Sequence, residues 1–297
     1  MALFSKKTTI VHNITYMALM VAINVLFIAL DTVIPFLMLL LIFFLPFVSA
    51  VVSYFCQKKY YIIYAVASVG LCFLINFADT IFYIIPAIVS GFLIGLLLDK
   101  KIHPFWMILS STLVEVVLSY AFIPLINLLT NTDIVVTFLT IFHLQDFAFK
   151  DELIYLFILF IALTQCSLTH FVLLTDVKKL GIETDTHVDS FVPYVIGLFA
   201  CLVIGLVFAF TYTPPSLTFI ALSFYFAIFL LVDIIPCKQV VIYVILGILF
   251  VLAMLLFVLF FTKITKPLGF TLFGLFSVAI GLTSFIKNVL LNKKPTI

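Results

Sequence analysis

Glu115 is the ionisable residue set deepest in an apolar run, about ten residues in and hence roughly 15 Å along a helix. Ser111, Thr112 and Ser119 stand at i−4, i−3 and i+4 from it, so the four side chains share one helix face. No lysine lies at comparable depth, and the chain has no arginine. A carboxyl without a cation there is expected to remain a neutral acid, because desolvation disfavours its charged form. Such an acid can donate a hydrogen bond to a carbonyl or ring nitrogen, with Ser119 offering a second polar group one turn away. Its other possible role is a hydrogen bond to a neighbouring helix.

Two further runs carry polar side chains at helical spacing. Ser68, Cys72, Asn76 and Asp79 fall four, four and three apart, forming a stripe that reaches the end of the third run. The sixth run carries Gln165, Thr169 and His170, and a lone histidine of this kind is more often a packing residue than a ligand. Asn24 lies deep in the first run, and Asp31 is expected to cap its end. Glu115, Ser119, Asn76, Asp79 and Gln165 are the candidate binding set, acting as hydrogen-bonding and charge-selecting groups. Ala18 and Ala22, one turn apart in the first run, leave a flat strip on which a second helix can lie. That helix is either a neighbour in the same chain or one from a partner.

The sequence holds no HExxH, GxSxG, P-loop or GxGxxG, and no paired acidic and histidine motifs of intramembrane CAAX-type proteases. It therefore predicts neither an enzyme nor an ATPase, and any energy must come from a partner or an ion gradient. Cys56, Cys72, Cys166, Cys201 and Cys237 show no CxxC or Cys/His spacing and read as small apolar residues. No metal or other cofactor is expected.

The elements that must position these residues are set by composition. Of 297 residues, 66% are hydrophobic and 9% charged, whereas a soluble chain is roughly half apolar and a quarter charged. The chain reads as all-α, a polytopic transmembrane helix bundle of about ten spans. The runs are approximately 14–30, 35–56, 60–77, 81–98, 105–124, 153–174, 191–210, 217–235, 240–261 and 268–286. They are continuously apolar, without the in-out alternation of barrel strands. The first is nearly a full span with no cleavage pattern after it, and so reads as an anchor. A net charge of +2 is too small to suggest nucleic acid.

Lysines orient the spans. With the N-terminus inside, twelve of the fifteen lysines are cytoplasmic and only Lys150, Lys263 and Lys266 lie outside. Both termini then face the cytoplasm of a bacterial inner-membrane protein. The outer loop 131–152 contains an apolar stretch, 134–144, with Asp133 as a plausible N-cap, and this predicts a short interfacial or covering helix. The polar inner loop 176–190 divides six spans, 1–176, from four, 177–297. Small residues repeat every four positions at Ala87, Gly91 and Gly95, and again at Gly197, Cys201 and Gly205, which predicts close helix packing.

The first six spans resemble the S components of energy-coupling-factor vitamin transporters. The likeness rests on a short N-terminal tail, Ala18-x-x-x-Ala22 in the first helix, a short outer turn into Pro35 and a second span ending at Lys58-Lys59. It continues through a tight outer turn at Asp79, a basic inner turn Asp99-Lys100-Lys101 and a longer outer loop before span six. The whole chain is similar to YybS-type bacterial membrane proteins, which join such a half to additional helices. The resemblance implies that the alanine face meets a transmembrane coupling subunit associated with ATPases. It also implies a ligand pocket that opens outward.

The sequence thus predicts a membrane subunit that binds a vitamin-sized organic solute, with transport energised by a partner complex. The pocket is expected between spans three, five and six, under the 131–152 loop. Two other readings are an ion-coupled transporter built from two inverted halves, and a membrane scaffold whose polar stripes only specify helix packing. Matching Gly/Pro-broken helices in the two halves, which the first would favour, are not seen.

Overall fold

The computed structural model describes residues 6–34, 41, 44–141, 150–179, 191–210, 213–234, 240–261 and 272–291. Among them every regular element is helical. Seven helices are long and apolar enough to cross a membrane: Ile10–Val33, Lys58–Ile75, Phe77–Asp99, Pro104–Thr130, Ile154–Leu173, Val192–Ala209 and Pro215–Val232. Leu45–Phe55 and Val241–Leu256 are shorter apolar helices. This is a polytopic helical membrane protein. The chain divides into two compact units, one of Met1–Gln145 with Phe157–Thr186, the other of Asp146–Leu156 with His187–Ile297.

In the first unit α1 (Ile10–Val33) starts at Thr9, whose hydroxyl accepts from His12 N at 3.3 Å. Asp31 does not cap its end. The apolar sequence continues past it, helical bonding extends to Ile34 N on Leu30 O at 2.9 Å, and the Asp31 carboxyl is hydrogen-bonded to Asp79 instead. Helices α2 (Leu45–Phe55) and α3 (Tyr61–Ile75) follow. A one-turn helix, Phe77–Asp79, and a π-helical turn, Thr80–Ile84, lead into α4 (Ile85–Asp99). Asn76 starts that turn, accepting from Asp79 N at 3.2 Å while its amide meets the Asp79 carboxylate.

Next come α5 (Pro104–Thr130) and the short α6 (Ile134–Ile141). Asp133 caps α6 as its spacing predicts, accepting from Val135 N at 2.9 Å and Val136 N at 3.2 Å. Residues 142–144 of the anticipated covering stretch lie outside the described residues, as does 180–190 of the polar inner loop. Helix α7 (Lys150–Lys179) contributes its part from Phe157 onward to the first unit.

The Ala87/Gly91/Gly95 face brings α4 against α2. A Cβ on Gly91 would overlap Pro46 O and Ser49 Cβ, and one on Gly95 would lie 2.6 Å from Ala50 O. Ser53 Oγ completes the contact with a hydrogen bond to Phe92 O at 2.8 Å. Across α1, α2 and α3 a buried polar knot forms: Asn24 Nδ2 donates to Tyr64 Oη at 2.9 Å and to Ser68 Oγ at 3.3 Å, and Ser49 Oγ lies 3.0 Å from Tyr64 Oη. A hydrogen bond inside an apolar bundle specifies which helices meet.

One end of this unit is basic. Lys6 and Lys58 both pair with Asp99, at 2.6 and 2.8 Å. Asn13, fully buried, ties the same end together: it accepts from Gln57 N at 2.8 Å and donates to Thr9 O at 2.7 Å. The segment before α1, the α2–α3 turn and the end of α4 therefore converge. Asp31 and Asp79 lie together at the other ends of α1 and of the Phe77–Asp99 span.

The second unit contains α8 (Phe191–Ala209), α9 (Thr213–Ile234), α10 (Val240–Phe261) and α11 (Gly274–Leu291). Helices α8 and α9 meet along the second small-residue face, where Ser216 Oγ donates to Gly205 O at 2.8 Å. Gly197 leaves room for the Phe226 ring. Ser223 and Ser277 join α9 to α11 at 3.0 Å.

Candidate functional site

Glu115 is 3% exposed, at the middle of α5. Its carboxylate accepts a hydrogen bond from Cys166 Sγ on α7 at 3.2 Å, and the Ser90 hydroxyl of α4 bonds it as well. Three helices thus converge on this carboxyl. Cys166 is fully buried. Its thiol, read from the sequence as a small apolar group, is a donor here, and only the three-dimensional pairing reveals it.

Beside the carboxyl lies a small cavity of about 30 Å³, lined by Phe82, Tyr83, Glu115, Ser119, Phe157, Ile158, Ile161, Ala162 and Gln165. Three of the five anticipated binding residues, Glu115, Ser119 and Gln165, share this wall. Asn76 and Asp79 do not line it. They are occupied in starting the turn into α4 and, for Asp79, in the contact with Asp31.

The cavity is also bounded by different spans from those anticipated. Span four replaces span three, because the π-helical turn at Thr80–Ile84 carries Phe82 and Tyr83 to the wall. The stripe of α3 faces elsewhere, with Ser68 bonded to Asn24 of α1. Inserting a residue into a helix re-aims the side chains of that turn, and such insertions recur at functional sites. Phe82, Tyr83 and Phe157 carry no distinguishing signal in a sequence with 36 phenylalanines and 12 tyrosines.

Chemically the wall combines a carboxyl, a carboxamide and a hydroxyl with aromatic faces. A few placed polar groups on an apolar lining is the usual make-up of small-molecule sites. The volume, however, holds about one water, well short of the roughly 300–1,000 Å³ of an occupied ligand pocket.

Among the described residues, Ala18 and Ala22 are exposed and not covered by another helix. They line an apolar groove of about 460 Å³ along α1 and α3, together with Ile14, Met17, Val21, Val25, Ile63, Tyr64, Ala67 and Leu71. Among the described residues no group of three or more His, Cys, Asp or Glu side chains is placed to hold a metal ion. Comparison of the chain with protein-family models, curated proteins and solved structures finds no match.

Proposed function

We propose that this membrane protein binds a small organic solute at the Glu115 cavity and serves as the solute-binding subunit of an uptake system energised by a partner complex. The observation that carries the reading is the convergence of Glu115, Ser119 and Gln165, from two helices, on one cavity walled by three aromatic rings. Carboxyl, hydroxyl and carboxamide supply orientation, and Phe82, Tyr83 and Phe157 supply flat apolar contact to a ring-bearing solute. A vitamin-sized solute needs more room than this cavity of about 30 Å³ offers, so binding would require its walls to part.

The likeness of the first six spans to energy-coupling-factor S components supports the second half of the reading. A transmembrane helix of the coupling subunit would lie on Ala18 and Ala22, whose exposure leaves them open to it. The cavity would face outward and the Lys6–Asp99–Lys58 end the cytoplasm, following the lysine distribution.

The test is to purify the wild type and Glu115→Leu and Glu115→Gln variants from native membranes and analyse heat-released small molecules by mass spectrometry. A compound retained by the wild type and by Gln but lost from a well-folded Leu variant is the expected result. Identical profiles for wild type and Leu would remove Glu115 from the site and the reading with it.

A further inference from the structure

Below the Glu115–Cys166 contact, the α5–α7 seam holds polar groups that the solute site does not use. His170 is fully buried, and neither of its ring nitrogens has a hydrogen-bond partner in the protein. Ser111 Oγ and Thr169 Oγ1 are also fully buried and without partners. Cys166 of α7 bonds Glu115 of α5, while His170, one turn later, lies within electrostatic reach of His103 at the start of α5. The two helices are therefore antiparallel. Ser111 lies one turn before Glu115 on α5, and Thr169 and His170 lie about one turn after Cys166 on α7, an axial rise of ~6 Å from the Glu115–Cys166 contact.

An imidazole needs an acceptor for one nitrogen and a donor for the other. Buried polar groups without protein partners are met by buried water. Water, which both donates and accepts, can meet the imidazole nitrogens and the two hydroxyls. Water between a carboxyl and an imidazole is the chemistry of a proton relay, and ionisable groups at membrane depth commonly mark one.

We propose that Glu115 and His170 form a proton relay along a hydrated α5–α7 seam, leading from the cavity to the basic end of the first unit. The proton of the neutral Glu115 acid leaves its carboxyl. It passes through seam water, held by Ser111 and Thr169, to one nitrogen of neutral His170. The imidazolium then releases the proton on its other nitrogen towards His103, and a hydronium ion in the cavity reprotonates the Glu115 carboxylate and is left as water. One proton and one charge move, with no other bond changed. The titratable groups about the seam are Glu115 and His103 on α5 and Cys166 on α7, and α4 contributes the neutral hydroxyl of Ser90. The relay needs no bound solute, so it goes beyond the uptake reading and is tested apart from it.

The experiment is proton flux into liposomes that hold the full-length protein and a trapped pH-sensitive dye, driven by a potassium diffusion potential with valinomycin. Wild type should admit protons faster than protein-free liposomes. His170→Asn, which keeps a polar side chain but cannot titrate, should fall to the protein-free rate with an unchanged melting temperature, and Glu115→Gln should do the same. His170→Ala should regain flux when imidazole is added, a rescue that a packing role would not give. Wild-type flux no faster than protein-free liposomes overturns the proposal. So does undiminished flux through folded His170→Asn.

Discussion

Tyr64 shows how much one hydroxyl can carry in an apolar bundle. It is fully buried, and its oxygen receives the Asn24 amide at 2.9 Å and meets Ser49 Oγ at 3.0 Å. Tyr64→Phe leaves the Asn24 amide with only the longer bond to Ser68, so the variant should lose about 1–2 kcal/mol. Thermal unfolding in detergent measures this, and a second Asn24→Leu change should then cost little further. The depth of Asn24 and the stripe through Glu115 were legible in the sequence, because polar letters stand out against apolar ones at spacings of three and four. What those letters bond to was not. Asn24 reaches 44 residues on to Ser68, and Glu115 reaches 51 residues on to Cys166. No local pattern encodes such pairings. Asp31 was misread for a related reason: a polar residue near the end of an apolar run resembles a cap, whereas its true partner, Asp79, lies on another span.

Glycines separate helix faces that touch from those that do not. A Cβ at Gly91 meets the α2 backbone, while one at Gly70 on α3 has nothing within 4 Å. Gly91→Ala should therefore lower stability by about 1–3 kcal/mol through overpacking. Gly70→Ala should be neutral or raise stability by up to about 1 kcal/mol through helix propensity. Paired melting curves decide between the faces, and equal shifts would contradict the α2–α4 packing. Small residues every four positions marked this face for close packing in the sequence, since a backbone can approach only where side chains are missing, but they did not name α2 as its partner. The π-helical turn at Thr80–Ile84 was not legible, because an inserted residue leaves composition and hydropathy unchanged. That one turn moves the aromatic wall to span four.

At the scale of the whole chain, orientation rests on lysine. If the Lys6–Asp99–Lys58 end is cytoplasmic, single cysteines replacing Lys100 and Thr132 in a cysteine-free background should react with an impermeant thiol reagent from opposite sides. Labelling of both from one side would contradict the orientation. The alanine strip gives a second test. Because Ala18 and Ala22 are exposed, Ala22→Trp should change the protein's own stability by no more than about 0.5 kcal/mol. It should nevertheless abolish co-purification of a coupling subunit. A large loss of stability with the partner still bound would refute docking on this strip. The groove beside these alanines also makes lipid a competitor. An apolar concavity of about 460 Å³ on a membrane-spanning helix would be filled by an acyl tail wherever it faces hydrocarbon and no protein helix lies there. Docking is then an exchange of tail for helix, driven by close backbone packing and by the freedom the released tail regains. Its strength should follow the length and unsaturation of the surrounding lipids and be nearly indifferent to salt.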